Sequence, residues 1–138
     1  MSGKLFLELV SPERLLVRSE VDEVYAPGSE GDLGILPEHT AFICSLRSGE
    51  FRFYIGDNVE YVALDGGFME VVDNKVTVLA DGAELGREIN VSEVLRRKLV
   101  AEKDVEDARQ KDNIDFTTAE AKLMKEIIRI NVAGKYKT

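Results

Sequence analysis

Three short stretches hold the residue types from which chemistry is built. The single histidine, His39, stands five residues before the single cysteine, Cys44. That pairing suits a thiol nucleophile with an imidazole base. Cys44, however, lies in the apolar run Phe42-Ile43-Cys44, the setting of a small core residue, whereas a reactive thiol needs an electropositive, partly exposed site. A metal would need further ligands at regular spacing, and the sequence shows no such cluster. The second stretch, Gly28-Ser29-Glu30-Gly31-Asp32-Leu33-Gly34, is glycine-rich but lacks the Gly-Lys-Ser/Thr ending of a phosphate loop, and its acids repel phosphate. It reads as a turn between two strands that offers Glu30 and Asp32, with His39 nearby, as a polar contact site. An acid–base pair there would need a desolvating pocket, which nothing nearby suggests. The third stretch, Arg96-Arg97-Lys98, falls in a helical pattern. Glu93 with Arg97 and Lys98 with Glu102 are i,i+4 pairs of a solvated face. A nucleotide or an acidic protein is the sharper reading of those bases.

The elements that must position these residues divide the chain in two. Its 138 residues carry a net charge of −8, with 44% apolar and 32% charged residues, an ordinary globular balance. One domain, or one domain with an appendage, fits that length. Residues 1–85 hold 6 basic and 16 acidic side chains, and residues 86–138 hold 12 and 10. All three prolines, 9 of 11 glycines and 8 of 10 aromatics lie in the first part, which therefore reads as strands joined by tight turns. The acidic balance argues against general nucleic-acid binding. One cysteine excludes an intrachain disulfide. No stretch is apolar for long enough to span a membrane, and the start of the chain, interrupted by Glu8, is expected to carry no signal peptide.

In the first part, Leu5, Leu7 and Leu9 alternate with Phe6 and Glu8, so one face of a strand is apolar. Further strands are expected at 15–20, 23–26, 32–36, 41–46, 50–55, 59–64, 67–72 and 75–80. Turn signals separate them at Ser11-Pro12, Pro27-Gly28, Ser48-Gly49, Gly56-Asp57, Asp65-Gly66 and Asp73-Asn74. Short strands at this spacing point to an antiparallel sandwich or barrel. The second part is rich in helix formers. Asn90 with Glu93, and Thr117 with Glu120, are capping-box signals for two helices. Val91, Val94, Leu95, Leu99, Val105 and Ala108 lie broadly along one face of the first helix. Phe116, Ala119, Leu123, Ile127 and Ile130 follow helical spacing in the second. The short link at 111–115 makes the pair an antiparallel hairpin. Such a hairpin buries little alone, so its apolar stripe needs the sandwich or another protein as partner. The fold class is α+β, with an N-terminal antiparallel β-sandwich over 1–85 and a C-terminal antiparallel helical hairpin over 86–138.

The block Ser29-Glu30-Gly31-Asp32-Leu33-Gly34-Ile35-Leu36-Pro37-Glu38-His39, then Leu46-Arg47-Ser48-Gly49, Gly66-Gly67-Phe68-Met69-Glu70-Val71 and Val76-Thr77-Val78-Leu79-Ala80-Asp81 resembles the epsilon subunit of the bacterial F-type ATP synthase. Asn113-Ile114-Asp115-Phe116 and the helix after it are similar to that family's second C-terminal helix. The resemblance implies a non-catalytic subunit of the rotating central stalk, at the cytoplasmic face of the bacterial membrane. Its sandwich would pack on the gamma subunit and touch the ring of c subunits through Glu30, Asp32 and His39. Its helices would permit turnover when folded onto the sandwich. Extended, they would block ATP hydrolysis by setting Arg96, Arg97, Lys98, Lys122, Lys125 and Arg129 against acids of the alpha and beta subunits. The family often has Gly where Glu38 stands and Pro where Ala41 stands. Some members bind ATP through an Ile/Leu-Asp-x-x-Arg-Ala motif; the nearest match, Ser92-Glu93-Val94-Leu95-Arg96-Arg97, keeps the Arg as Arg96 but has Glu93 for Asp and bulky Arg97 for Ala. Weak or absent ATP binding and no cofactor are the expectation. Two other readings stand beside this one: a free-standing acidic sandwich that recruits a partner through its helical tail, and a small hydrolase using Cys44 and His39.

Overall fold

The computed structural model describes residues 3–110 and 115–136. Eight strands precede two helices: β1 (Leu5–Val10), β2 (Leu15–Val21), β3 (Glu23–Gly28), β4 (Gly31–Ile35), β5 (Phe42–Ile55), β6 (Asn58–Val72), β7 (Lys75–Ala80), β8 (Ala83–Leu85), α1 (Val91–Gln110) and α2 (Phe116–Gly134). The strands follow the order β2-β1-β7-β6-β5-β3-β4, and β8 pairs with β6. Neighbours run antiparallel except β1 and β7, which are parallel. The alternation of Leu5, Leu7 and Leu9 puts all three at 0% exposure, in a core with Phe51, Ile35, Leu64, Met69, Val71 and Val76.

Four expected strands are two. The signals at Ser48-Gly49 and Asp65-Gly66 mark no turn: β5 and β6 run through them as one ribbon of 14 and 15 residues, paired from Phe42↔Val71 to Ile55↔Asn58. Glycine here permits a change of course within a strand rather than ending it. Gly66 and Gly67 have φ of 99° and 141°, and a Cβ on Gly67 would meet the Leu79 carbonyl at 2.2 Å. The expected turn at Pro27-Gly28 moves to Ser29-Glu30, since β3 continues to Gly28, which pairs with Gly31. Pairing of β3 with β5 lapses between Tyr25 and Gly28, where Pro27 brings no N–H. The expected two-residue turn at Asp73-Asn74 is present, with both φ positive (50° and 64°) and Val72 paired to Lys75, as a type I′ turn requires. The three-residue β8 carries too little pattern to be read from sequence.

Asn90 caps α1 as expected, its Oδ1 accepting the Glu93 N–H at 3.1 Å. Thr117 is not a cap, because α2 begins at Phe116. The helices are antiparallel: Arg109 stacks over the Phe116 ring, and Arg97 Nε reaches Glu126 at 3.1 Å. Of the expected link, 111–114 with Asn113 and Ile114 lie outside the described residues. The stripe on α1 is narrower than its spacing suggests. Val94, Ala101, Val105 and Ala108 are buried, whereas Leu95 and Leu99 are 47% and 68% exposed. The reason is that α1 lies along α2, and α2 is the helix packed on β5 and β6; one helix neighbour covers fewer positions than a sheet would.

Because Gly67 combines a positive φ with a contact that excludes any Cβ, Gly67→Ala is expected to destabilise the sandwich by at least ~1 kcal/mol. The check is the urea midpoint; an unchanged midpoint would show that the bend tolerates a side chain.

Candidate functional site

The loop residues singled out in the sequence gather at one end of the sandwich. Glu30 lies in the exposed turn between β3 and β4, and Asp32 follows in β4. Arg47 braces this turn: one terminal nitrogen donates to the Gly28 carbonyl and the other pairs with the Asp32 carboxylate, both at 2.7 Å. The Ser29 N–H donates to the Ser45 carbonyl at 3.0 Å, and the two serine hydroxyls are 2.8 Å apart. The Asp32–Arg47 pair is largely exposed, so it shapes the turn more than it stabilises the fold. His39 sits in the next loop, its Nδ1 2.8 Å from the Thr40 carbonyl and its ring 5.2 Å from that of Phe42. Phe42 also lines a shallow cleft of about 410 Å³ with Glu30, Asp32 and Leu33. The two loops therefore flank one aromatic side chain. Glu38 has a φ of 70°, a backbone that favours glycine. Asn74 offsets that strain, its Oδ1 accepting the Glu38 N–H at 2.7 Å while its amide donates to the Glu38 carboxylate at 3.1 Å.

The basic residues divide among three settings. Arg96, Arg97, Lys122 and Lys125 line one groove of about 730 Å³ between the helices, together with Asp104, Asp107 and Glu126. Arg97 pairs with Glu93 and Glu126, both at 3.1 Å. Lys98 pairs with Glu102 at 3.0 Å. Both expected i,i+4 pairs are thus formed. Glu93 is committed twice, to Arg97 through its carboxylate and to the Asn90 cap through its N–H. Arg129 stands apart, turned onto the sandwich against Asp65 and Glu84.

Two surfaces escaped the sequence reading. One is the seat of α2, where Ala63 packs with Ile128 and Val132, flanked by Tyr61 and Ile89. The other is an outward apolar strip across β5, β6 and β7. Ile43, Phe68 and Leu79 are 70%, 61% and 57% exposed, and Phe68 and Leu79 are direct cross-strand partners. The signal was present as paired apolar residues, Ile43-Cys44, Phe68-Met69 and Val78-Leu79, which put one side chain on each face of the sheet.

Cys44 packs partly buried against the core, and burial pushes its thiol up from the usual value, the opposite of what a nucleophile needs. Among the described residues no group of three His, Cys, Asp or Glu could hold a metal, and no helix is long and apolar enough to cross a membrane.

Fold and surfaces together define a β-sandwich carrying a helical hairpin, a module built to make contacts. Two family models divide the chain between them: the beta-sandwich domain of the ATP synthase Delta/Epsilon chain over residues 4–86, and its long alpha-helix domain over residues 87–134. The chain belongs to the ATP synthase delta/epsilon family. It is 42% identical to an ATP synthase epsilon chain of Desulfitobacterium hafniense strain Y51, over 96% of this chain and 98% of that one. It is 41% identical to an epsilon chain of Syntrophobacter fumaroxidans, over 98% and 99%. Its fold is also that of a chain in the Euglena gracilis mitochondrial ATP synthase (OSCP/F1/c-ring), with a TM-score of 0.71 at 22% identity, covering 96% of this chain and 82% of that one. Membership makes it a non-catalytic, epsilon-type subunit of the F-type ATP synthase, a membrane-associated complex.

The buried setting of Cys44 has a direct consequence. Its alkylation by iodoacetamide should be several-fold slower at pH 8 than that of a free cysteine, since only the thiolate reacts. A rate equal to that of free cysteine would contradict the burial argument and revive the thiol reading.

Proposed function

We propose that this chain is a rotor subunit of the central stalk, on the cytoplasmic face of a bacterial membrane, and that it helps couple proton flow to ATP synthesis. The observation that carries the reading is the match to epsilon chains along almost the whole length, at 42% identity. The two-part architecture supports a division of labour. The sandwich over 1–85 binds stalk and c-ring, and the hairpin over 86–138 regulates. The outward strip of Ile43, Phe68 and Leu79 suits the gamma subunit, because an exposed apolar patch of this kind is a contact surface. The braced turn with Glu30 and Asp32, and the neighbouring loop with His39, suit the c-ring. Arg96, Arg97, Lys122 and Lys125, gathered along one groove, and Lys98 outside it suit acids of the alpha and beta subunits when the hairpin is extended. Arg129 joins them only after leaving the sandwich. Glu93 in place of Asp and bulky Arg97 in place of Ala, with Glu93 paired to Arg97, favour weak or absent ATP binding around Glu93 and Arg96.

Two experiments test this. A chain ending at Leu85 keeps every strand and should fold, assemble and no longer inhibit ATP hydrolysis. An unfolded product, or one that inhibits fully, would defeat the division of labour. In Asp32→Lys the turn loses one of its two acids and sets a lysine against Arg47. The stability change should stay within about 1 kcal/mol, as for an exposed pair, while ATP-driven proton pumping in membrane vesicles falls clearly. Unchanged pumping would remove Asp32 from the c-ring contact.

A further inference from the structure

The hairpin is attached to the sandwich by little apolar surface. Its shared cluster holds Ala63, Ile128 and Val132, with Tyr61 and Ile89 at the margin, and is separate from the core of the sandwich. Around that cluster, polar groups act at two points. At one, Arg129 Nη1 and Nη2 bind the two Asp65 oxygens at 2.8 and 2.9 Å, and Nε binds Glu84 at 2.9 Å. Nη1 also donates to the Lys125 carbonyl at 3.2 Å. The side chains of Arg129 and Asp65 are only 12% and 10% exposed, and the carboxylates push the guanidinium further toward its charged form. Both acids are held by the sheet: Asp65 at the bend of β6, its N–H bonded to the Gly82 carbonyl at 2.8 Å, and Glu84 in β8 opposite Ala63.

At the other point, the Tyr136 hydroxyl accepts the Tyr61 N–H at 2.8 Å, and the two rings meet edge to face at 5.8 Å. Lys135 lies over the Tyr61 ring and 3.8 Å from Glu50. This end closes over Gly86. A Cβ there would stand 2.4 Å from the Tyr136 ring, 2.8 Å from the Tyr61 carbonyl and 2.9 Å from Val132. Gly86 is thus a seat that admits α2 because it has no side chain.

We infer that these two points form a clasp, Arg129 on Asp65 and Glu84 with Tyr136 over Gly86, which sets how much of the chain holds its hairpin docked. The chemistry suits a clasp that opens. A buried ion pair has little net worth against its hydrated partners, but it fixes one geometry strongly, because a lone charge left under the helix is costly. When the helix leaves, water solvates both carboxylates and the guanidinium, and that cost disappears. The clasp therefore specifies the docked register without locking it. This deepens the regulatory reading of the hairpin and rests on it.

The test uses the full chain and amide hydrogen exchange of α2, since an undocked hairpin is marginal as a helix. Arg129→Gln, which removes the charge, and Gly86→Ala, which wedges the seat without touching a charge, should each speed exchange at Val132 and Ala133 at least tenfold. Exchange within threefold of the parent in both Arg129→Gln and Gly86→Ala would overturn the clasp. If Arg129→Gln melts the helices in far-ultraviolet dichroism, Gly86→Ala decides: exchange at least tenfold faster than the parent supports the clasp, and exchange within threefold overturns it. Inhibition of hydrolysis in the reassembled complex is read separately. A Gly86→Ala chain that exchanges fast yet inhibits no more than the parent defeats the inhibitory reading and leaves the clasp standing.

Discussion

Every surface in this chain hangs on the ribbon of β5 and β6. Its first and last thirds belong to different parts of the sheet. Near Phe42 and Val71 it lies beside β7, and near Phe53 and Glu60 it lies beside β3. The ribbon can serve both only if it changes course midway, and the backbone does so at Gly66 and Gly67. From that bend follow the placement of Asp65, the room for β8 beside Val62–Leu64, and the platform at Ala63 on which α2 rests. The same ribbon carries Arg47, which braces the Glu30 turn, and Ile43 and Phe68, which form most of the outward strip. A defect in the bend would reach the Glu30 turn, the outward apolar strip and the hairpin seat together.

The sandwich and the hairpin are held by different physics. The sandwich has a continuous core of fully buried Leu, Val, Ile, Phe and Met side chains, each contributing about 1.5–3 kcal/mol by burial. Among the described residues the cluster that the hairpin shares with the sandwich is small, Ile128 and Val132 over Ala63, with Tyr61 and Ile89 at the margin. Between the helices themselves, small residues such as Ala101 and Ala108 give close approach but little area. A part so attached is of lower local stability than the sandwich. That asymmetry is what a moving element on a fixed base requires, and the polar groups around α2 decide where it rests.

The sheet was legible where side chains face one way. Leu5, Leu7 and Leu9 could be placed because Phe6 and Glu8 point elsewhere, and Asp73-Asn74 because few residues accept two positive φ values in succession. It was not legible where glycine had two meanings. Gly56 begins a turn, and Gly66 bends a strand, yet each comes just after a short apolar run, Phe53-Tyr54-Ile55 and Tyr61-Val62-Ala63-Leu64, and precedes a polar or small residue. Only the pairing of β5 with β6 along their whole length separates the two cases. The helix stripe was over-read at Leu95 and Leu99 for a related reason: periodicity shows that a face is apolar, not whether a neighbour covers it. The loop of Glu30, Asp32 and His39 was legible as a polar cluster, but the brace by Arg47 and the clamp of Glu38 by Asn74 were not, because those partners lie 15 and 36 residues away.

Arg129 shows most clearly what spacing cannot reveal. In the sequence it is one of six bases singled out on a net-positive segment, equivalent to Lys122 and Lys125. In the fold it is the one turned under the helix onto two carboxylates, while Arg96, Arg97, Lys122 and Lys125 remain along an open groove. Charge counts make the hairpin and the sandwich attract as wholes, but at physiological salt such attraction between exposed groups fades within about 8 Å. What remains effective is the short, largely buried contact of a planar guanidinium with a fixed carboxylate, which carries direction as well as sign. The opposite net charges of the two halves thus bring the hairpin home only loosely. The register in which it docks is written in Asp65 and Glu84, two acids whose positions depend on the bend of β6 and on a strand of three residues.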